Sequence, residues 1–253
     1  MPDTAPGPDA HGPPLLELDR VSKSFGRVVV AEDLSLSVGA GDIVGIVGPN
    51  GAGKTSLFGL IAGDLVPASG EIRFGGAPVN LLGTAARCRL GIGRTFQVPR
   101  PFGAMSVFEN VLVAVQQGAR LRRGASYGRA ADVLERTGLA PDANVPAARL
   151  GLLPRKRLEL ARALATAPRL LLLDEVAGGL TDPEVAELVR IVESIRADGT
   201  AIVWIEHVVR ALTAAVKRLI CLAGGRFIAD GEPGEVLASP AVREVYLGTG
   251  ATA

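Results

Sequence analysis

A chain of 253 residues that is 48% hydrophobic and 21% charged carries ample apolar material for a large core. Its 27 basic and 26 acidic side chains nearly cancel to a formal charge of +1, which argues against binding nucleic acid or an anionic membrane surface through bulk charge. The sequence has no apolar run of membrane-spanning length, and Cys88 and Cys221 stand far apart with no C-x-x-C partner. Neither a spanning segment nor a disulfide or cysteine-metal framework is expected.

Residues 1–14 are rich in proline, glycine and aspartate and lack the apolar centre of a signal peptide; they predict a disordered tail of a cytosolic protein, with His11 inside it. Residues 15–21, 28–31 and 34–38 are short apolar or alternating runs, which predict strands of a small antiparallel layer. Phe25 falls in the turn Ser24-Phe25-Gly26-Arg27, as a stacking platform for a base or as a half-buried loop aromatic. Residues 42–47 predict a buried strand and 55–62 a helix. Residues 71–74 predict another strand, closed by Gly75-Gly76.

Beyond Gly91-Ile92-Gly93 the texture becomes helical. Ser106 and Glu109 form an S-x-x-E capping box that opens a helix reaching Gln117. Residues 118–128, with Arg120, Arg122 and Arg123, predict a solvated loop, and 130–137 a second helix. A third begins with Pro154 at its first position, burying Leu158, Ala161, Leu164 and Ala165. The leucine run 170–173 ends in Asp174-Glu175 and suits a buried parallel strand. Asp182-Pro183 caps a long helix with Val185, Leu188, Val189, Val192 and Ile195 on one face, stopped by Gly199. Residues 201–205 and 219–223 predict further buried strands.

Strands alternating with helices predict an α/β fold with a mainly parallel core sheet covered on both faces. Residues 15–95 and 165–231 would form a discontinuous nucleotide-binding core with the antiparallel β layer. Residues 96–164 would be an inserted helical subdomain, and 232–253 a helical tail.

Between the strand 42–47 and the helix 55–62 stands Gly48-Pro49-Asn50-Gly51-Ala52-Gly53-Lys54-Thr55, which fits G-x-x-x-x-G-K-[ST] at every fixed position. A strand, a glycine-rich turn and a helix N-terminus gather backbone N–H groups around an anion, and the helix dipole adds to the attraction. Lys54 can reach β- and γ-phosphates, Thr55 can offer its hydroxyl to Mg²⁺, and Ser56 completes the cradle. These residues predict a nucleoside triphosphate site. Asp174, at the end of an apolar strand, would hold Mg²⁺ beside Thr55, and Glu175 would polarise the attacking water. Gln97, after Arg94-Thr95-Phe96, could reach the metal or that water. His207 follows the strand 201–205 and could lie at the same carboxyl edge.

These segments resemble the ATP-binding cassette (ABC) ATPases, a P-loop NTPase family, over about residues 15–248. The resemblance rests on the loop 48–55, Gln97 after RTF, LLLLDE at 170–175 and His207 after WIE. RTFQVPRPFGAMSVFENVLVA, RLELARALA, DEVAGGLTDPE and the ending VREVYLG are similar to the cytosolic ATPases of branched-chain amino-acid importers. The resemblance implies ATP and Mg²⁺ as cofactors, Phe25 as the adenine-stacking aromatic and Gln97 as the lid glutamine and a metal ligand. It makes Glu175 the general base and His207 the γ-phosphate switch. It implies a head-to-tail dimer with a second cassette, identical or different, and a membrane permease contacted around residues 98–102. It further implies an extracytoplasmic solute-binding protein reached indirectly, and a peripheral place on the inner face of the cell membrane. No nucleic-acid partner is expected.

The family's signature, L-S-G-G-Q or L-S-Y-G-Q, reads Leu150-Gly151-Leu152-Leu153-Pro154 here. Gly151 lacks the hydroxyl that the family sets on the partner's γ-phosphate, and Leu153 adds bulk. Loss of one hydrogen bond to a charged group costs about 1.5–3 kcal/mol, while amides at the helix N-terminus would remain. Val176 replaces a proline, and Thr181 stands where aspartate or asparagine is expected. These departures imply a weak site, best completed opposite a different cassette. A second reading is a nucleotide-dependent regulatory module with little turnover. A third, a cassette acting on nucleic acid or ribosomes, is opposed by the single cassette and the lack of a basic patch.

Overall fold

The structure is a computed structural model that describes residues 13–119 and 121–248. His11 and nearly all of the expected tail lie outside the described residues. β1 (Leu16–Phe25) and β2 (Val28–Val38) form a hairpin about Gly26-Arg27, with Phe25 paired to Val28. Phe25 is therefore the last residue of a strand rather than a turn residue. The expected strands 28–31 and 34–38 are one strand. Asp33 sits at φ 50 and its N–H donates to Ser22 Oγ at 2.9 Å, so the polar break bends the strand without ending it.

β3 (Ile43–Val47) runs through the glycine loop into α1 (Lys54–Ala62), and β4 (Ser69–Phe74) and the short β5 (Ala77–Pro78) return to the antiparallel layer. α2 (Thr84–Leu90) and β6 (Ile92–Arg94) had no sequence counterpart; a three-residue strand is too short to display a period. α3 (Val107–Ala114) opens on the expected capping box, Ser106 N–H donating to Glu109 Oε2 at 2.7 Å and Glu109 N–H to Ser106 Oγ at 3.2 Å. It then passes into a π-helical turn, Val115–Ala119, where one α-helix was expected.

α4 (Arg123–Arg136) starts inside the expected loop; its polar first turns give the sequence no apolar period to read. α5 (Leu152–Ala165) is capped by Gly151, so Pro154 is its third residue and not its first. That position still tolerates proline, because its N–H has no partner within the helix. β7 (Leu170–Asp174) is followed by α6 (Asp182–Ala197), whose N-cap is Thr181 rather than Asp182. β8 (Ala201–Ile205), α7 (Val209–Ala215), β9 (Arg218–Ala223), β10 (Arg226–Gly231), α8 (Pro233–Ala238) and α9 (Pro240–Gly248) complete the described chain; α7 and β10 were not foreseen.

The strands form two sheets, one in the order β2-β1-β4-β5 and one in the order β10-β9-β3-β8-β7-β6. The first is antiparallel; the second is parallel from β9 to β6, with β10 antiparallel at its edge. β3, β7 and β8 are buried at every position. Ile46, Leu172 and Val203 pack with Phe58 of α1 and with the antiparallel layer. Val47, Leu173 and Trp204 pack on the other side with Leu158 of α5, Leu188 of α6 and Leu212 of α7. Alternate residues thus feed two cores, which is why these strands read as unbroken apolar runs.

Parallel strands share a direction, so their carboxyl ends line one edge of the sheet. Val47 leads into the glycine loop there, Ile205 into His207, and Arg94 and Asp174 end their own strands. Ile205 is in register with both Ile46 and Asp174, which brings three distant segments of chain to one place.

Candidate functional site

The glycine loop is shaped by what stands behind it. Gly48 lies at φ 156 and Gly53 at φ 106. A Cβ on Gly48 would come within 2.0 Å of Leu222 O, and one on Gly53 within 2.1 Å of Val30 O. Only glycine lets the loop press this closely on β9 and β2. Ala52 N–H donates to Pro49 O at 3.2 Å, closing the turn, while Asn50 and Gly51 are exposed at its tip.

Lys54 Nζ donates to Gly48 O at 2.7 Å and to Pro49 O at 2.9 Å, and the residue is buried. Burial lowers its pKa, against the opposing pull of Glu175 and Asp174. The ammonium is therefore held inside the loop on neutral carbonyls, short of a full counter-charge. An anion of high charge would supply one.

Beside the loop opens a cleft of about 540 Å³, lined among others by Phe25, Thr55, Ser56, Arg94, Gln97 and Asp174. Phe25 is half exposed there, with Lys23 Nζ 5.4 Å from its ring centroid. Asp174 is buried, and burial raises its pKa while the hydrogen bond and charge of Arg94 work the other way. Arg94 Nη2 lies 3.2 Å from Asp174 Oδ2, and Thr95 Oγ1 accepts from Asp174 N–H at 3.0 Å.

Glu175 takes up a left-handed backbone at φ 49, uncommon outside glycine and a mark of local strain. Its N–H donates to Ile205 O at 2.9 Å. Its side chain is held from both sides: Oε1 lies 2.7 Å from His207 Nε2, and Oε2 accepts a short bond from Gln97 Nε2. The structure thus joins three predicted residues, Gln97, Glu175 and His207. Gln97 also lines the cleft with Thr55 and Asp174, and of its amide the nitrogen is engaged by Glu175.

Two residues that the sequence reading missed belong to the same place. Arg94 is the first. The second is Lys156 of α5, buried, whose Nζ donates to Glu175 O at 2.9 Å and Gln97 O at 3.3 Å. Burial lowers its pKa, with Glu206, Glu175, Asp174 and Glu159 opposing. A lysine set among the apolar positions of a helix was the available signal.

The unusual segment 150–154 lies at the start of α5. Gly151 caps the helix with extended backbone and no side-chain bond. Leu152 is 49% exposed, with Cδ2 3.3 Å from where a Cβ on Gly179 would stand. Pro154 deletes one of the free N–H groups, so fewer amides are left to meet an anion than the sequence argument assumed. Thr181 has a local partner: its N–H and Oγ1 both bond Glu184 Oε2 at 2.7 Å.

The family model described as ABC transporter matches residues 31–178, and a second, described as Branched-chain amino acid ATP-binding cassette transporter, matches residues 228–252. The lipopolysaccharide export system ATP-binding protein LptB of Acidithiobacillus ferridurans is 36% identical over 92% of this chain and 97% of that protein. The high-affinity branched-chain amino acid transport ATP-binding protein LivG of Salmonella typhimurium is 35% identical over 93% of this chain and 98% of that protein. Among solved structures, the ADP conformation of MJ1267, an ATP-binding cassette of an ABC transporter, superposes with a TM-score of 0.84 at 28% identity, covering 93% of this chain and 99% of that one. The glycine loop, the strand order and these similarities agree: the chain belongs to the ABC transporter family, as one of its ATP-binding cassettes, and is an ATPase.

Proposed function

We propose that this cassette is the ATP-hydrolysing subunit of an importer for branched-chain amino acids or related small polar solutes. The match of residues 228–252 to the branched-chain amino-acid cassette description carries the solute class, and the similarity to LivG supports it. Among the described residues no helix is long and apolar enough to cross a membrane. In this reading, which rests on the similarity to transporter cassettes, it works at the cytoplasmic face of the membrane through a permease, with a solute-binding protein reached indirectly. Val98 and Phe102, exposed beyond Gln97, are the expected permease contact.

In this reading Lys54 leaves the Gly48 and Pro49 carbonyls for the β- and γ-phosphates, and Phe25 stacks on the adenine. Gly48 to Gly53 bring their backbone to the phosphates, and Ser56 adds its hydroxyl. Thr55 and Asp174 hold Mg²⁺; one hydroxyl and one carboxylate, completed by phosphate and water oxygens, are the hard oxygen set this ion prefers. When bound, the ion neutralises phosphate charge. Among the described residues no cluster of three or more His, Cys, Asp or Glu side chains offers a competing metal site. Glu175, fixed by Gln97 and His207, accepts the proton of the attacking water, and His207, once its Nε2 leaves Glu175 Oε1, donates toward the γ-phosphate. A second cassette docked head-to-tail presents its signature to this site, and hydrolysis reopens the pair.

The similarity to LptB favours one other reading, lipopolysaccharide export. Reconstitution with the cognate permease in vesicles separates them. Stimulation of ATPase activity by a branched-chain amino acid with its binding protein supports import. Stimulation by lipopolysaccharide alone would overturn it.

A further inference from the structure

Arg94 is built to serve two carboxylates at once. It ends β6, and its side chain is 11% exposed. Nη1 lies 2.7 Å from Asp64 Oδ2 and Nη2 lies 3.2 Å from Asp174 Oδ2. The guanidinium carbon stands 5.8 Å from the ring centroid of Phe58 and 5.2 Å from that of Phe96, so two aromatics hold the fork. Nε is buried without a partner, a cost the arrangement bears to keep both ion pairs. Asp64, half exposed, lies just beyond the end of α1, the helix that begins at Lys54.

An arginine does not deprotonate in a protein, so its charge stays available to Asp174 until a second cation competes for the carboxylate. The bond to Asp174 is the longer of the two and the bond to Asp64 the shorter. The fork can therefore let go of one carboxylate and keep the other. We infer that Arg94 is a built-in stand-in for the divalent ion: it neutralises Asp174 while metal is absent and retreats to Asp64 alone when metal arrives. Arg94 and Asp64 together then set the metal concentration at which the site takes up metal-bound nucleotide. This rests on the reading of Asp174 as the metal carboxylate.

The test is a Mg²⁺ titration of the full chain at a fixed concentration of a fluorescent ATP analogue, with a parallel measurement in chelator. Arg94→Met removes the competitor, and the half-saturating Mg²⁺ concentration is expected to fall about tenfold. Arg94→Lys keeps the charge but offers one ammonium where a fork served two carboxylates, and the midpoint should fall by less. Asp64→Asn commits the arginine wholly to Asp174, and the midpoint should rise. Affinity in chelator, measured for every variant, is the baseline against which each Mg²⁺ midpoint is read, so that a general change in nucleotide binding is not counted as a shift in metal uptake. A midpoint unmoved in Arg94→Met overturns the inference, as does a lysine variant identical to wild type, which would reduce Arg94 to background charge. Should Arg94→Met fail to fold, a midpoint that falls or stays in Asp64→Asn overturns it alone. Absence of any Mg²⁺ effect in the wild type would instead remove the metal reading of Asp174.

Discussion

Glu175 Oε1 and His207 Nε2 are 2.7 Å apart, and they close the carboxyl ends of the neighbouring strands β7 and β8. With Gln97 on the other carboxylate oxygen, Glu175 has no freedom to turn away. Its left-handed backbone adds strain that the Glu175 N–H bond to Ile205 and the Lys156 contact sustain. In the proposed function this carboxylate takes the proton of the attacking water in a set direction. Glu175→Gln should lower ATP turnover by about 10²–10⁴-fold, the range for a positioned general base, and leave nucleotide affinity intact. Steady-state ATPase rates beside fluorescent-nucleotide titrations check this. Rates near background in both forms would sink the role.

Substitutions in the glycine loop should separate steric from conformational cost. Gly51 sits at φ 78 with open space around it, so Gly51→Ala meets only the left-handed penalty of about 1–2 kcal/mol. Gly48→Ala drives a Cβ to 2.0 Å from the Leu222 carbonyl oxygen and must displace either β9 or the loop. Nucleotide binding should survive weakened in the first variant and be lost in the second. Calorimetric titration with ATP, after thermal melts of both variants, decides the order.

Lys54 gives the site a pH dependence of known sign. Burial lowers its pKa in the nucleotide-free chain, and a triphosphate on the ammonium raises it again. Affinity is then fully present below the lowered free-state pKa and falls as pH rises above it. On the alkaline side, binding should take up protons, measurable by calorimetry in two buffers of different ionisation enthalpy. Proton release there would contradict the assignment. Lys54→Ala should abolish high-affinity binding.

The start of α5 is where this cassette departs from its family. Gly151→Ser with Leu153→Gly restores a hydroxyl and removes bulk in the segment that the proposed dimer sets against a partner's phosphates. The hydrogen bond gained, about 1.5–3 kcal/mol, corresponds to about tenfold or more in the turnover of the chain alone. Rapid turnover by the unaltered chain as a homodimer would end the idea that it depends on a different cassette.

Phe102 is half exposed, with the Arg162 guanidinium carbon 5.4 Å from its ring centroid. Phe102→Ala should reduce solute transport in vesicles while ATP binding is retained, because the ring lies outside the nucleotide cleft. Transport equal to wild type would show that the permease docks elsewhere.

The sequence alone determined the glycine loop, the Asp174-Glu175 strand end and the buried parallel strands, because each is written in contiguous residues whose spacing is itself the physical constraint. Elements without a period of their own stayed illegible: the three residues of β6, the polar first turns of α4, and the join of two short runs into β2. Folding brings Gln97 and His207 onto the same carboxylate and sets Arg94 and Lys156 in the site. The Arg94, Glu175 and His207 contacts come from strand ends placed side by side by a sheet whose order, β10-β9-β3-β8-β7-β6, is not the order of the chain, and the packing of α5 adds Lys156. A side chain's partner across 80 residues of sequence, as Arg94 finds in Asp174, depends on that packing and leaves no local trace.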